Sequence, residues 1–329
     1  MNPLLSICMP TYGRPELLFE TASELIRQAR PHDIPLLISD NSEDERTARM
    51  VDTLKAAYPH VVYSRNEKNL GIDRNFLKVA AMAQTEFVWM FGDDDRPEPG
   101  AVERILQEVS NAGDVEFFLV NSRPMSPDMR HELSDNLAGI SADRVWRDCN
   151  AALRDIAWYS TFVGAYVVRR EAWLSTDATP WLDTVFVHVG VMFDAMARRG
   201  FALKFIAQPL IGYRTGAATW SARFLDIQLV LWKRTIDRLP DAFDAPSRRV
   251  AVESVVERFV TAGALAGLRI QGILDARAYR SVVWPYVAWA RKARAATWRI
   301  GLVGAVLLLV PAAALRALRE FVRRRRAAA

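Results

Sequence analysis

The sequence predicts an α/β fold, a mostly parallel sheet with helices on both faces, followed by a helical and basic C-terminal region. Three observations lead there. Short apolar runs end repeatedly in polar loops and give way to helical periodicity from Leu4 to Val120. Hydrophobic residues make up 51% of the 329 and charged residues 25%, which supports a large core and excludes wholesale disorder, collagen-like and coiled-coil chains. Charge is segregated: residues 269–329 hold 13 Lys and Arg against Asp275 and Glu320, a local +11, while the rest carries 30 basic and 36 acidic residues.

The first strand, Leu4–Met9, stops at Pro10-Thr11-Tyr12-Gly13, and from Pro15 the apolar residues Leu18, Ala22, Leu25, Ile26 and Ala29 fall at helical spacing. The second, Pro35–Ser39, ends in Asp40-Asn41-Ser42 before a helix through Ala48, Val51, Leu54 and Tyr58. The third, Val61–Tyr63, leads to Asn69-Leu70-Gly71 and a helix carrying Phe76, Ala80 and Ala83. The fourth, Phe87–Phe91, runs into Gly92-Asp93-Asp94-Asp95, and Pro97-Glu98-Pro99 then opens a helix through Val102, Ile105, Leu106 and Val109. The fifth is Glu116–Val120. This alternation implies right-handed crossovers, and such sheets bind ligands beyond the carboxyl ends of their strands. Thr11, Asp40, Asn41 and Asp93 to Asp95 all fall at that edge.

Residues 121–150, with Pro124 and Pro127 among many Asp, Ser and Asn, read as an irregular loop. Structure resumes in a strand-like run Phe162–Val168, a helix over Val185–Arg199, and Phe205-Ile206, Pro209 and Tyr213-Arg214. From about 220 to 278 the pattern is helical, with Phe224, Ile227, Leu231 and Ile236 in one element and Val252, Val255, Val256, Phe259 and Val260 in another. Two cysteines, Cys8 and Cys149, make no disulfide framework, and no His/Cys cluster has zinc spacing; a reduced, cytoplasmic compartment is expected. The N-terminus lacks the basic region of a signal peptide, and an acidic body with a basic tail argues against a nucleic-acid binder.

Three consecutive carboxylates at a strand end repel one another in a low-dielectric cleft unless a cation or donors neutralise them. A divalent ion solves that: Mg²⁺ or Mn²⁺ takes one or two protein carboxylates while bridging diphosphate oxygens. Taken alone, the triplet also reads as a solvated acidic turn capping the helix after Pro97, and Asp40-Asn41-Ser42 as an ordinary helix cap. The order of the four polar segments favours function.

That order resembles the inverting family 2 glycosyltransferases of GT-A fold. The matching elements are Ile7-Cys8-Met9-Pro10-Thr11-Tyr12-Gly13-Arg14, Ser39-Asp40-Asn41-Ser42, Asn69-Leu70-Gly71-Ile72 with Asn75, and Phe91-Gly92-Asp93-Asp94-Asp95-Arg96-Pro97-Glu98-Pro99-Gly100. The resemblance implies a nucleotide-diphosphate sugar donor, with Pro10, Thr11, Tyr12 and Arg14 lining its pocket and Asp40 hydrogen-bonding the base. Asn41, Gly71, Asn75, Asp93, Asp94 and Arg214 complete the expected donor site. Asp95, shared with Asp93, is the expected Mg²⁺ or Mn²⁺ ligand. Two positions depart from the pattern, Gly13 where Asn is usual and Gly92 where Asp is frequent. The Gly-Asp-Asp-Asp form is similar to the branch of abequosyltransferases and other O-antigen enzymes.

An inverting transfer needs a base within hydrogen-bond reach of the acceptor hydroxyl. The family commonly supplies an acid at the start of a late helix, but this chain reads Val185-Phe186-Val187-His188-Val189-Gly190 there. His188 occupies the matching position and titrates near neutrality when unperturbed; a core histidine is the other reading. Asp183 and Asp194 are the nearest carboxylates.

In the tail, Ile300–Leu315 is 16 residues without a charge, which as a helix spans about 24 Å against a hydrocarbon core of about 30 Å. Pro311 interrupts it, which favours peripheral or re-entrant attachment over a spanning helix; an ordinary core helix with a solvated basic end is the other reading. Trp284, Tyr286, Trp289 and Trp298 alternate with Arg291, Lys292, Arg294 and Arg299, a headgroup-level composition, and Arg323 to Arg326 can meet anionic lipids. The expected organisation is a catalytic domain over 1–215, a helical region over 216–280 and a membrane-associating tail over 281–329. It places the protein on the cytoplasmic face of a bacterial inner membrane, beside a lipid-linked saccharide acceptor. A nucleotide-sugar-binding or scaffold protein without catalysis is the competing expectation. A nucleotidyltransferase is disfavoured because no Gly-rich, Lys-containing phosphate loop follows the first strand.

Overall fold

The computed structural model describes residues 4–200, 202–216, 221–290 and 296–327. The chain forms two compact units, Met1–Thr219 with Arg238–Ser247, and Trp220–Asp237 with Arg248–Ala329.

In the first unit the strands are β1 (Leu5–Thr11), β2 (Leu36–Asp40), β3 (Val61–Arg65), β4 (Phe87–Met90), β5 (Arg96–Pro97), β6 (Val115–Met125), β7 (Arg144–Trp146), β8 (Tyr166–Arg169) and β9 (Ala202–Arg214). Among the described residues they make one sheet in the order β3-β2-β1-β4-β8-β6-β9-β5, with β7 on β9. The strands β3, β2, β1 and β4 are parallel, and β2 and β4 are buried throughout, as sheets covered on both faces require. The helices are α1 (Pro15–Ala29), α2 (Arg46–Ala57), α3 (Ile72–Ala81), α4 (Ala101–Ser110), α5 (Cys149–Ile156), α6 (Arg170–Ser175) and α7 (Val187–Arg199). Pro15 opens α1 at a position where its missing N–H costs nothing, and Leu18, Ala22, Leu25, Ile26 and Ala29 form its buried stripe.

The sheet is mixed rather than mostly parallel. Strand β8 lies between β4 and β6 and is antiparallel to both, a placement that hydrophobic periodicity does not encode. The strand-like run Phe162–Val168 is only half strand: Tyr159–Thr161 and Val163–Ala165 are 3₁₀ turns, and β8 begins at Tyr166. The fifth strand also runs further than its apolar stretch, to Met125, because the buried Asn121 finds a partner, donating to the Ala207 carbonyl at 2.7 Å. Strand β6 pairs in parallel with β9, and the register jumps from Val120↔Ile206 to Ser122↔Ile211. The extra residues on β9 include Pro209, which has no ladder N–H to lose. Beyond this bulge, β9 pairs Gly212 with Arg96 of β5, which carries Arg214 back to the end of β4.

The second unit is helical. Its helices include Ala262–Ile270, Trp284–Ala290, Ala296–Leu309 and Ala312–Ala327, with π-helical turns at Asp226–Leu231 and Tyr279–Val283. Trp232 donates to the Ala251 carbonyl at 3.0 Å, and Lys233 stands 5.0 Å over the Trp289 ring. Among the described residues no single helix is long and apolar enough to cross a membrane; Arg299–Leu309 and Ala312–Phe321 pass by length and composition only as a pair bent by 106°. Leu302, Val306, Leu309, Leu318 and Phe321 are exposed on it. Tyr286 of the expected headgroup segment is buried and Trp284 exposed. Arg291, Lys292 and Arg294 lie outside the described residues, as do the side chains of Trp298 and Arg323 to Arg326.

Candidate active site

The carboxyl ends of β1 and β2 lie side by side, Thr11 in register with Asp40, and the loop after β4 brings Asp93 to Asp95 beside them. Thr11 donates its hydroxyl to Asp93 at 2.6 Å. Arg14, at the mouth of α1, reaches Asp94 at 2.6 Å and Asp93 at 3.4 Å. Thr21 of α1 donates to the Asp95 carbonyl at 2.6 Å. From the end of β9, the Arg214 backbone N–H donates to the Asp95 carboxylate at 3.1 Å and its Nε to the Asp94 carbonyl at 2.7 Å, while its guanidinium pairs with Glu20 at 3.0 Å. The structure thus brings together Thr11, Arg14, Asp93, Asp94, Asp95 and Arg214.

Two departures from the family pattern have physical explanations. Gly13 stands at φ +65°, donating its N–H to Ser42 at 2.8 Å; Asn, the usual residue there, is among the few side-chain-bearing residues that tolerate this left-handed region. At Gly92 an added Cβ would lie 2.7 Å from an Asp95 carboxylate oxygen, so a larger residue requires the Asp95 side chain to shift.

Burial pushes the Asp93 carboxyl up to about 6, with Arg14 pulling against it and Asp94 adding to it. Burial also raises Asp95 well above the ordinary carboxylate range, reinforced by Asp94. Desolvation disfavours the charged form, so these carboxylates favour a neutralising partner, a proton or a cation. Among the described residues no set of three or more His, Cys, Asp or Glu side chains forms a preformed metal cage. The donor set fits the other mode, in which Mg²⁺ rests on one or two carboxylates and completes its shell with water and substrate phosphate.

On the neighbouring strand ends a network of amides holds the loops. Asn75 of α3 accepts from Ser39 at 2.6 Å and donates to the Ser39 carbonyl at 3.1 Å. Asn66 donates to Asn41 at 2.7 Å and to Asn75 at 3.2 Å, and accepts from Lys78. Asn41 donates to the Gly71 carbonyl at 3.3 Å. A cleft of about 390 Å³ opens here, lined by Asn41, Ser42, Glu43, Arg65, Asn66, Glu67, Lys68 and Asn69. Asp40 is fully buried, and its carboxylate accepts from the Ser42 N–H at 2.7 Å and the Tyr63 hydroxyl at 2.8 Å, so it shapes the cleft from beneath. Pro10 is half-buried and Tyr12 is 51% exposed.

The residues expected as the base differ in exposure. His188 is 2% exposed, ringed by Phe76, Tyr166 and Phe186, with Nε2 3.3 Å from the Thr161 carbonyl. Burial lowers it to about 4. It is a neutral core histidine here, which corrects the expectation of an accessible base: the residue type was right for proton transfer, but its ring is sealed by aromatics. Asp194 is also buried and bound to Arg198 at 2.7 Å. Asp183 faces solvent, pairs with Arg74 at 2.6 Å and is held below the usual carboxylate range by that pair. Sequence reasoning missed Asn66, Thr21 and Asp73. Of these, Asn66 carried a readable signal, following β3 at the same sheet edge.

The sheet and the helices on it are GT-A-like in fold. The model of glycosyl transferase family 2 matches residues 6–150, a little under half of the chain. The chain is similar to the abequosyltransferase RfbV of Salmonella typhimurium, at 26% identity over 220 residues, covering 63% of this chain and 66% of that protein. It is also similar to the Campylobacter jejuni GalNAc(5)-diNAcBac-PP-undecaprenol beta-1,3-glucosyltransferase, at 28% identity over 35% of this chain and 37% of that one. The chain therefore spans less than two thirds of either relative. In fold it resembles the crystal structure of S. aureus TarS 1-349, with a TM-score of 0.55 at 16% identity over 82% of this chain and 80% of that one. A second structure of TarS, in complex with UDP-GlcNAc, has a TM-score of 0.55 at 14% identity over 82% and 81%.

Proposed function

We propose that this chain is an inverting glycosyltransferase that moves a sugar from a nucleotide-diphosphate sugar to a hydroxyl of a lipid-linked saccharide. The observation that carries the reading is the buried acidic loop after β4, crossed by Arg14 and Arg214 and linked through Thr11 and Gly13 to Ser42 of a polar cleft. The nucleotide lies toward the cleft, under Tyr12, and the diphosphate toward Arg14 and Arg214, whose charges oppose it. A Mg²⁺ or Mn²⁺ ion held by Asp95 with Asp93 supplies, when bound, charge stabilisation for the departing diphosphate. Thr11 orients the Asp93 carboxylate, and the Arg214 N–H does the same for Asp95. Asp183, ionised and solvent-facing, takes the proton of the acceptor hydroxyl in this reading.

The acceptor and location follow from the second unit. Its exposed apolar residues on the bent helix pair, beside a strongly basic sequence, suit attachment to an anionic membrane surface on the cytoplasmic side. The Campylobacter relative's name contains a PP-undecaprenol saccharide, and a polyprenyl-linked saccharide in envelope polysaccharide synthesis is the corresponding proposal here. The competing reading, a binding protein without transfer, draws on the burial of His188. A panel of nucleotide sugars with Mn²⁺ or Mg²⁺ separates the two by release of nucleoside diphosphate. Release that requires the metal is expected; donor binding without release under any condition favours the binding protein.

A further inference from the structure

The loop that enters α7 is strained. Asp183 and Val185 sit at φ +64° and +63°, a region disfavoured for any side-chain-bearing residue and most for a β-branched one. Such backbone persists where its surroundings over-determine it, and here two adjacent residues of α3 do so. The Asp73 carboxylate, 3% exposed, accepts the Val185 N–H at 3.0 Å and the Val187 N–H at 3.3 Å. Arg74 binds the Asp183 carboxylate at 2.6 Å. Phe186, at the cap position of α7, makes no side-chain cap bond, so the carboxylate closing that helix end comes from 114 residues away.

The same helix reaches the strand-end site. Asn75 donates to the carbonyls of Thr11 at 3.4 Å and Ser39 at 3.1 Å. A second tie runs through His188, whose ring meets the Thr161 carbonyl; three residues on, Gly164 lies so close to Asp95 that an added Cβ would stand 3.4 Å from its carboxylate. Asp73 and Asn75 of α3 thereby join the strained loop to the strand ends.

Resting on the transferase reading, we infer that Asp73 and Arg74 are positioning residues, a clamp that holds the Asp183–Val187 loop and presents the Asp183 carboxylate to the acceptor hydroxyl. Donor contacts do not depend on it. The clamp lives on two separable interactions, one buried and one at the surface, which makes it testable even where the buried variant folds poorly.

The test compares full-length Asp73→Asn and Arg74→Ala with the parent chain by amide hydrogen exchange. Peptides covering 183–190 and 36–42 are followed, together with the thermal shift given by UDP, CDP, GDP and TDP with Mn²⁺. Asp73→Asn is expected to speed exchange at Val185 and Val187 by about tenfold or more, with the 36–42 peptide and the nucleotide shifts unchanged. Arg74→Ala, which leaves the buried bonds intact, is expected to raise acceptor KM several-fold while donor KM stays put, and Arg74→Lys to recover part of the loss. Unchanged exchange in Asp73→Asn, or donor and acceptor KM rising together in Arg74→Ala, overturns the clamp. If the parent chain releases no nucleoside diphosphate from any donor, the transferase reading fails, and exchange alone then decides whether the clamp exists.

Discussion

At Asp95 a single side chain carries the weight of the proposed chemistry. Asp95→Ala is expected to lower transfer by at least about 10² with the fold retained by circular dichroism, and chelation is expected to have the same effect on the unmodified chain; full turnover in a chelator contradicts the metal role. His188 makes the opposite prediction. Its ordinary value of 6.5 falls to about 4 on burial, so the unfolded chain binds a proton that the folded one does not. Stability from this group is therefore complete above pH 6.5 and is lost as pH falls toward 4, by up to about 3 kcal/mol. His188→Phe should flatten that part of the profile of melting temperature against pH and keep most of the transfer activity. A folded His188→Phe chain with no turnover would restore the histidine to the chemistry. Residue type revealed Thr11, Asp93 and Asp95 because polar groups at strand ends stand out against apolar strands. It could not reveal Asp73 or place His188, since burial depends on partners such as Val185 and Phe76 that only the fold brings near.

Among the elements, α1 shows how packing serves the site. Its apolar stripe was legible in full, and its two functional contacts, through Arg14 at its mouth and Thr21 on its inner face, ride on that stripe. Leu25 is fully buried in the main core, and Leu25→Ala is expected to cost about 2–5 kcal/mol, read as a drop in denaturant midpoint; a change within about 0.5 kcal/mol would mean that α1 is not anchored as described. Strands were less legible than helices. Periodicity located β1, β2, β3 and β4 and the start of β6, yet gave neither the direction of β8 nor the bulge in β9, because pairing partners and sense are properties of the sheet and not of a run of residues.

At the scale of the molecule, the division of charge noted in the sequence coincides with a division of structure: the acidic loop belongs to the α/β unit and the basic C-terminal stretch to the helical one. A chain with Leu302, Leu309 and Leu318 changed together to Asp should keep nucleotide-dependent thermal shifts and lose flotation with vesicles containing anionic lipid. Equal flotation of both chains would remove the apolar surface from the account. The order of motifs made the resemblance to family 2 readable over the residues its model matches, while the helical unit, whose amphipathic pattern serves cores and membranes alike, left its role to be argued from exposure.

The account depends most on where the donor's diphosphate sits. The direct measurement is a crystal structure of the chain with Mn²⁺ and a nucleoside diphosphate, the ion located by its anomalous signal. The ion is predicted in coordination with Asp95, bridging to the diphosphate beside Arg14 and Arg214. A diphosphate bound elsewhere, with Asp93 to Asp95 facing only solvent or protein, would contradict it.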